Sequence, residues 1–169
     1  MCLGGLRIPH DMGLVGHSDA DVLLHAVTDA LLGAAALGDI GEMFPDTDPA
    51  NRGRSSIEML AAARDAVTAA GWQIGNVDCI VLAERPKLQP HKEAIRRVLA
   101  DTLGLAIDRV GLQAKTGEGV GEVGREEVIA AQCVALLEST VWVEAGEGSR
   151  FGVQGPGVSG STSFGSPEP

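Results

Sequence analysis

Three polar side chains in an otherwise apolar stretch carry the first hint of chemistry. Asp21, His25 and Asp29 are spaced i, i+4, i+8, so they share one face of a helix, with Thr28 beside them. A metal-binding imidazole wants a partner on its other ring nitrogen, and a carboxylate stands one turn away. The same arrangement also suits a core histidine whose ring is satisfied by Asp21 or Asp29. His17 and Ser18 add polar groups at the mouth of the helix, whose free N–H groups attract phosphate. Together these residues point to a site for metal and phosphate.

The elements that must position them can be read from composition and punctuation. Residues 20–37 contain no proline, one glycine and much Ala and Leu, which predicts a buried helix with Ser18 as its N-cap and Asp19 and Asp21 in its first turn. Residues 39–49 are rich in Asp, Gly and Pro and predict an ordered, non-helical loop at the helix exit, a candidate substrate wall. Ser55 or Ser56 caps a second helix through about Ala70, with Gly71 as its stop. Val77, Cys79, Ile80, Val81 and Leu82 make 72–84 a buried strand. A break at Arg85-Pro86-Lys87-Leu88-Gln89-Pro90 leads to a third helix over 91–103, ended by Gly104, and 107–116 is a further strand. Residues 126–138 suit a helix by propensity and a buried strand by composition, and periodicity leaves both open.

The bulk properties narrow the partners. A chain of 169 residues holds one domain with a core. A net charge of −10 argues against nucleic acid or an anionic membrane as partner, and 3% aromatic residues with no Tyr argue against base-stacking platforms. An acidic protein that handles phosphates needs a divalent metal or a local cluster of Lys and Arg. Cys2, Cys79 and Cys133 show no paired spacing, so no disulfide framework is expected. Without a signal peptide or a long apolar span, the chain reads as soluble and cytoplasmic. Residues 146–169 are Gly, Ser and Pro punctuation, expected to form a disordered tail behind a domain spanning 1–145.

Gly119-Val120-Gly121-Glu122-Val123-Gly124 matches GxGxxG, follows a predicted strand, and has Glu144 twenty residues beyond Gly124. A dinucleotide site is nevertheless rejected. Glu118, Glu122, Glu126 and Glu127 crowd the turn against Lys115 and Arg125 alone, and no second strand–helix half follows.

The run HSDADVLLHAVTDALLGAAALGDIGEMFPDTDP from His17 closely resembles the signature of the 2-C-methyl-D-erythritol 2,4-cyclodiphosphate synthases of the non-mevalonate isoprenoid pathway. Asn76-Val77-Asp78, the 83–91 segment, and Ala114, Thr116, Glu118, Gly124 and Arg125 extend the likeness, which runs without a gap from about Leu3 to Leu137. The resemblance implies an α+β fold, a mixed β-sheet covered by helices, with the sheets packed around the threefold axis of a homotrimer and active sites between neighbours. It implies that 126–138 is a strand. The implied activity is that of a phosphorus–oxygen lyase. The 2-phosphate of 4-diphosphocytidyl-2-C-methyl-D-erythritol 2-phosphate attacks the β-phosphorus, closing a cyclic diphosphate and expelling CMP. The implied cofactors are Zn2+, or another divalent transition metal, and Mg2+ or Mn2+.

Carried onto this chain, the resemblance makes His25 a zinc ligand and Glu118 the ligand of the second metal. His17 and Ser18 fall near the substrate phosphates. Asp39 and Gly41 match methylerythritol contacts, and Phe44 and Asp46 border that pocket. Ala83, Pro86 and Lys87 with Ala114 and Thr116 match the cytidine and diphosphate pocket. Arg125 and Glu127 match residues facing the trimer axis, where such enzymes often hold a prenyl diphosphate. The Asp-x-His pair that completes the family's zinc set belongs on a strand before Leu3 and is absent from this sequence, while Lys115 and Gly117 stand in place of threonines in the phosphate-binding turn. Met1 to Pro9 reads as the end of a strand and a turn without a partner strand, so N-terminal sequence is expected to be missing. One imidazole does not make a tetrahedral zinc site. The alternative is therefore a catalytically impaired trimer of the same fold that binds a nucleotide or a prenyl diphosphate.

Overall fold

A computed structural model describes residues 1–14 and 18–140. His17 and the proposed tail at 146–169 lie outside the described residues.

The chain opens with a two-stranded hairpin, β1 (Cys2–Leu3) and β2 (Leu6–Arg7), in which Cys2 faces Arg7 and Leu3 faces Leu6. The expected strand end without a partner is thus paired within its own turn. Helix α1 (Val22–Ala34) follows, then a single helical turn α2 (Ile40–Met43), a 3-10 turn at Pro49–Asn51, and helix α3 (Ser56–Ala69). Next come strand β3 (Trp72–Leu82), helix α4 (Lys92–Leu103), strand β4 (Val110–Lys115), the turn α5 (Gly121–Gly124) and strand β5 (Ala130–Ser139).

The three long strands form one mixed sheet in the order β4-β3-β5. β3 runs parallel to β4, from Val77 opposite Val110 to Leu82 opposite Lys115. It runs antiparallel to β5, from Trp72 opposite Ser139 to Leu82 opposite Ala130, with a register shift between Ile74 and Asn76. The parallel pair needs a crossover, and α4 supplies it. Helices α1, α3 and α4 cover the sheet face that carries Val77, Cys79 and Val81, all fully buried with Leu24, Val27, Leu60 and Leu99. The α+β class with a mixed sheet follows. No helix among the described residues is long and apolar enough to cross a membrane.

Several local expectations are corrected. Asp21, not Ser18, caps α1: its backbone is extended and its side chain accepts from Leu24 N. The helix ends at Ala34, three residues short of Leu37. The 39–49 stretch contains helix, because Asp39 accepts from Glu42 N at 2.8 Å and nucleates the turn α2. Residues 107–109 wind as a 3-10 turn before β4 starts. β5 settles the ambiguity at 126–138 in favour of a strand from Ala130 onward, while residues 126–129 form the turn and connection that lead into it. Ala131, Cys133, Ala135 and Leu137 pack against the core while Gln132, Val134, Leu136 and Glu138 face out, a period of two that no helix presents. Elsewhere the punctuation reads as written: Gly104 ends α4 at φ 69, a conformation that glycine adopts without strain.

Candidate active site

A cavity of about 510 Å³ opens beside the start of α1. Ser18 and His25 form one wall, and Gly41, Phe44 and Asp46 form another. The second wall hangs on Asp29, whose carboxylate accepts from Ile40 N at 2.8 Å and so ties α1 to the turn that carries Gly41. Asp39 stands behind that wall as the cap of α2 and does not line the cavity. Phe44 is buried, with the Arg54 guanidinium 4.8 Å from its ring centre.

The polar stripe divides its labour differently from the reading of its spacing. Neither Asp21 nor Asp29 is a hydrogen-bond partner of the His25 ring. The carboxylate of Asp21 is buried and accepts from Gly4 N, Gly5 N and Leu24 N, while Asp29 serves Ile40. The ring is met instead by two hydroxyls: His25 Nε2 lies 2.9 Å from Ser56 Oγ and 3.1 Å from Ser18 Oγ. Asp19 in turn accepts from the hydroxyl and the backbone N–H of Ser56. Asp19 and Ser56 are the residues that sequence reasoning missed at this site. They are separated by 37 positions, so no local spacing links them.

A second, smaller cleft of about 140 Å³ lies where β3 and β4 end together, lined by Ala83, Lys87, Ala114 and Thr116 among others. Ala83 N donates to Lys115 O at 2.9 Å. Lys87 Nζ sits 3.5 Å from Glu84 Oε1. Pro86 follows a cis peptide bond in the same loop without lining the cleft. The two clefts have no lining residue in common.

Glu118 sits beyond the second cleft on the glycine-rich loop, exposed and at φ 51. The loop is folded tightly on itself. A Cβ on Gly117 would fall 2.4 Å from Gly124 N, and one on Gly124 would fall 2.4 Å from the Gly119 carbonyl carbon. Within the GxGxxG string Gly124 answers to backbone packing and Gly119 and Gly121 to their positive φ of 75 and 69, and a strand follows them where a dinucleotide fold has a helix. Arg125 makes a two-pronged pair with Glu127 at 2.9 and 3.0 Å, which holds its guanidinium above its ordinary pKa. Arg85 lies 3.4 Å from Glu126.

Metal capacity differs between the two sites. Among the described residues no group of three or more His, Cys, Asp or Glu side chains could hold a metal ion. His25 by itself does not fit zinc, which takes at least three protein ligands. Glu118 does fit a hard cation, because magnesium is commonly bound through one carboxylate together with substrate phosphates.

The comparisons agree with this architecture. The YgbB family matches residues 1–138. The 2-C-methyl-D-erythritol 2,4-cyclodiphosphate synthase of Bordetella avium is 57% identical over 137 residues, covering 81% of this chain and 85% of that protein. A solved 2C-methyl-D-erythritol-2,4-cyclodiphosphate synthase in a CDP-bound form superposes with a TM-score of 0.75 at 43% identity, covering 80% of this chain and 88% of the other. The bifunctional IspDF of Campylobacter jejuni superposes with a TM-score of 0.79 at 43% identity, and the match takes up 82% of this chain and 38% of that longer one.

Proposed function

The chain belongs to the YgbB family of 2-C-methyl-D-erythritol 2,4-cyclodiphosphate synthases, and from that premise we propose that it converts 4-diphosphocytidyl-2-C-methyl-D-erythritol 2-phosphate to 2-C-methyl-D-erythritol 2,4-cyclodiphosphate and CMP. The observation that carries the proposal is the convergence of Ser18, His25, Gly41, Phe44 and Asp46 on one cavity. These residues come from the start of α1 on one side and from the α2 turn with the loop after it on the other.

The reaction needs no protein nucleophile. An oxygen of the 2-phosphate forms a bond to the β-phosphorus, and the bond from that phosphorus to the α-phosphate oxygen breaks, releasing CMP. The protein's task is to fold the substrate back on itself and to offset its charge. In this reading Ser18 and His25 face the phosphates, with His17 beside them, Gly41, Phe44 and Asp46 hold the methylerythritol end, and Asp39 supports that end from behind by capping α2. The cleft of Ala83, Lys87, Ala114 and Thr116 takes the cytidine and diphosphate, with Pro86 shaping the loop that carries Lys87. Glu118 would hold Mg2+ or Mn2+ shared with the substrate phosphates, an ion that supplies charge neutralisation when bound. No step is routed through zinc, which the described residues do not fit.

Two clefts without a common residue support a site completed by a neighbouring copy, and we propose a homotrimer with active sites between subunits. Val134 and Leu136, 74% and 56% exposed on the outer face of β5, supply apolar surface for that packing. Arg125 is the proposed contact for a prenyl diphosphate on the threefold axis, and the cytoplasm is the proposed location.

Phosphorus NMR of the chain with substrate and magnesium tests the function. Conversion to the cyclic diphosphate with stoichiometric CMP is the expected result. CDP binding without CMP release would overturn it in favour of a catalytically impaired trimer of the same fold.

A further inference from the structure

A chain of hydrogen bonds runs from Asp19 through Ser56 to the ring of His25, and its direction can be worked out from the donors alone. Asp19 is a carboxylate and only accepts. Its Oδ2 takes the backbone N–H of Ser56 at 3.1 Å, and its Oδ1 takes the Ser56 hydroxyl hydrogen. A serine hydroxyl has one hydrogen to give. With that hydrogen committed to Asp19, Ser56 Oγ can face His25 Nε2, 2.9 Å away, only as an acceptor. Nε2 must then carry the ring proton. Ser18 Oγ, 3.1 Å from the same protonated Nε2, then accepts from it with one lone pair and from Ala20 N at 3.2 Å with the other.

We propose that Asp19, acting through Ser56, is a positioning residue for His25: it sets the ring proton on Nε2 and leaves Nδ1 as the imidazole's lone pair. Ser56 is suited to the relay. It is fully buried, and it begins α3, so its backbone N–H is one of the donors a helix start leaves free, here taken by the same carboxylate. The Asp19 bridge thus fixes the start of α3 and the tautomer of a residue on α1 with one side chain. A second consequence falls on Ser18. Because Ser18 Oγ accepts from the ring, its own hydrogen is released for an anionic group in the cavity that Ser18 lines. The tautomer stands on geometry alone, whereas its use in cyclisation rests on the proposed function.

The test is long-range proton–nitrogen correlation NMR on the full chain carrying 15N-histidine, without substrate, in mildly alkaline buffer. The sequence has four histidines, and His25→Gln assigns the signal by its loss. The expected wild-type spectrum has His25 as the Nε2–H tautomer. Asp19→Ala frees the Ser56 hydroxyl to donate to Nε2, and the ratio of Nε2–H to Nδ1–H should fall about tenfold, the worth of one net hydrogen bond. Ser56→Ala should move it in the same direction. A wild-type ring protonated on Nδ1, or a ratio unchanged in both variants, would overturn the assignment. The wild-type spectrum decides even where a variant fails to fold. Neither result depends on CMP release, so the tautomer and the proposed reaction can fail separately.

Discussion

Asp21 and Gly4 are joined by a buried hydrogen bond, 2.9 Å from Gly4 N to Asp21 Oδ1, that ties the opening hairpin to the first turn of α1. The other carboxylate oxygen accepts from Gly5 N at 2.7 Å, and Oδ1 also caps Leu24 N at 3.1 Å. Three backbone donors therefore depend on one side chain with no exposed surface. Asp21→Ala should cost about 3 kcal/mol, since it strands buried N–H groups as well as removing a cap. That corresponds to a drop of roughly 6–12 °C in the thermal midpoint. Calorimetry showing a loss below about 1 kcal/mol, the size of a simple exposed cap, would remove the tie from the account.

Cys79 and Cys133 face one another across β3 and β5 with their sulfurs 3.6 Å apart, both as free thiols. The hydrogen bond to Cys133 first, and burial second, push the Cys79 thiol far above its ordinary pKa. Only the thiolate attacks an alkylating reagent. Cys79 should accordingly stay unlabelled by iodoacetamide in the folded protein at neutral pH and become labelled in denaturant. Mass spectrometry that finds native Cys79 modified as fast as a small free thiol would contradict this environment.

Glu118 and Glu122 occupy the same loop and carry the same charge, but only Glu118 is assigned to the cation. Glu118→Gln should reduce CMP release on the order of a hundredfold and raise the magnesium concentration needed for half-maximal rate. Glu122→Gln should change either quantity little. Equal behaviour of the two variants in a magnesium titration would withdraw the assignment.

Zinc should be retained poorly. With His25 the one matched zinc ligand in the described cavity wall, metal analysis after dialysis is expected to find well below one equivalent. Near-stoichiometric zinc that disappears in His25→Gln would mean that other ligands complete the set.

Gly124 and Gly33 offer opposite outcomes for the same substitution. A methyl group on Gly124 would enter the Gly119 backbone, whereas one on Gly33, in the last turn of α1, meets nothing within 4 Å. Gly124→Ala should destabilise by about 1–3 kcal/mol through overpacking. Gly33→Ala should stabilise by about 0.5–1 kcal/mol through helix propensity. Denaturant titrations that gave both variants the same sign would refute the packing role of the glycine loop.

Much of this protein was legible in its residues because the signals were local. The helices ending at Gly71 and Gly104, the buried strand around Val77 to Leu82, and the polar face holding His25 follow from periodicity and punctuation within a few turns of chain. The family signature extended that reading to the fold class and to the group of Ser18, His25, Gly41, Phe44 and Asp46. The roles within the polar stripe were decided elsewhere. Asp21 looked like a partner for His25 because both lie on one helix face, but its carboxylate is taken by Gly4 and Gly5, brought against it by the hairpin. The histidine is served by Ser56, which arrives from 31 positions away, and behind it by Asp19. The strand at Ala130–Ser139 was equally undecided by propensity, because a run of Ala, Val and Leu suits helix or sheet. It became a strand through pairing with β3 along its whole length. Hydrogen bonds between distant segments depend on which surfaces the core brings together, and that is settled by tertiary packing and not by spacing along the chain.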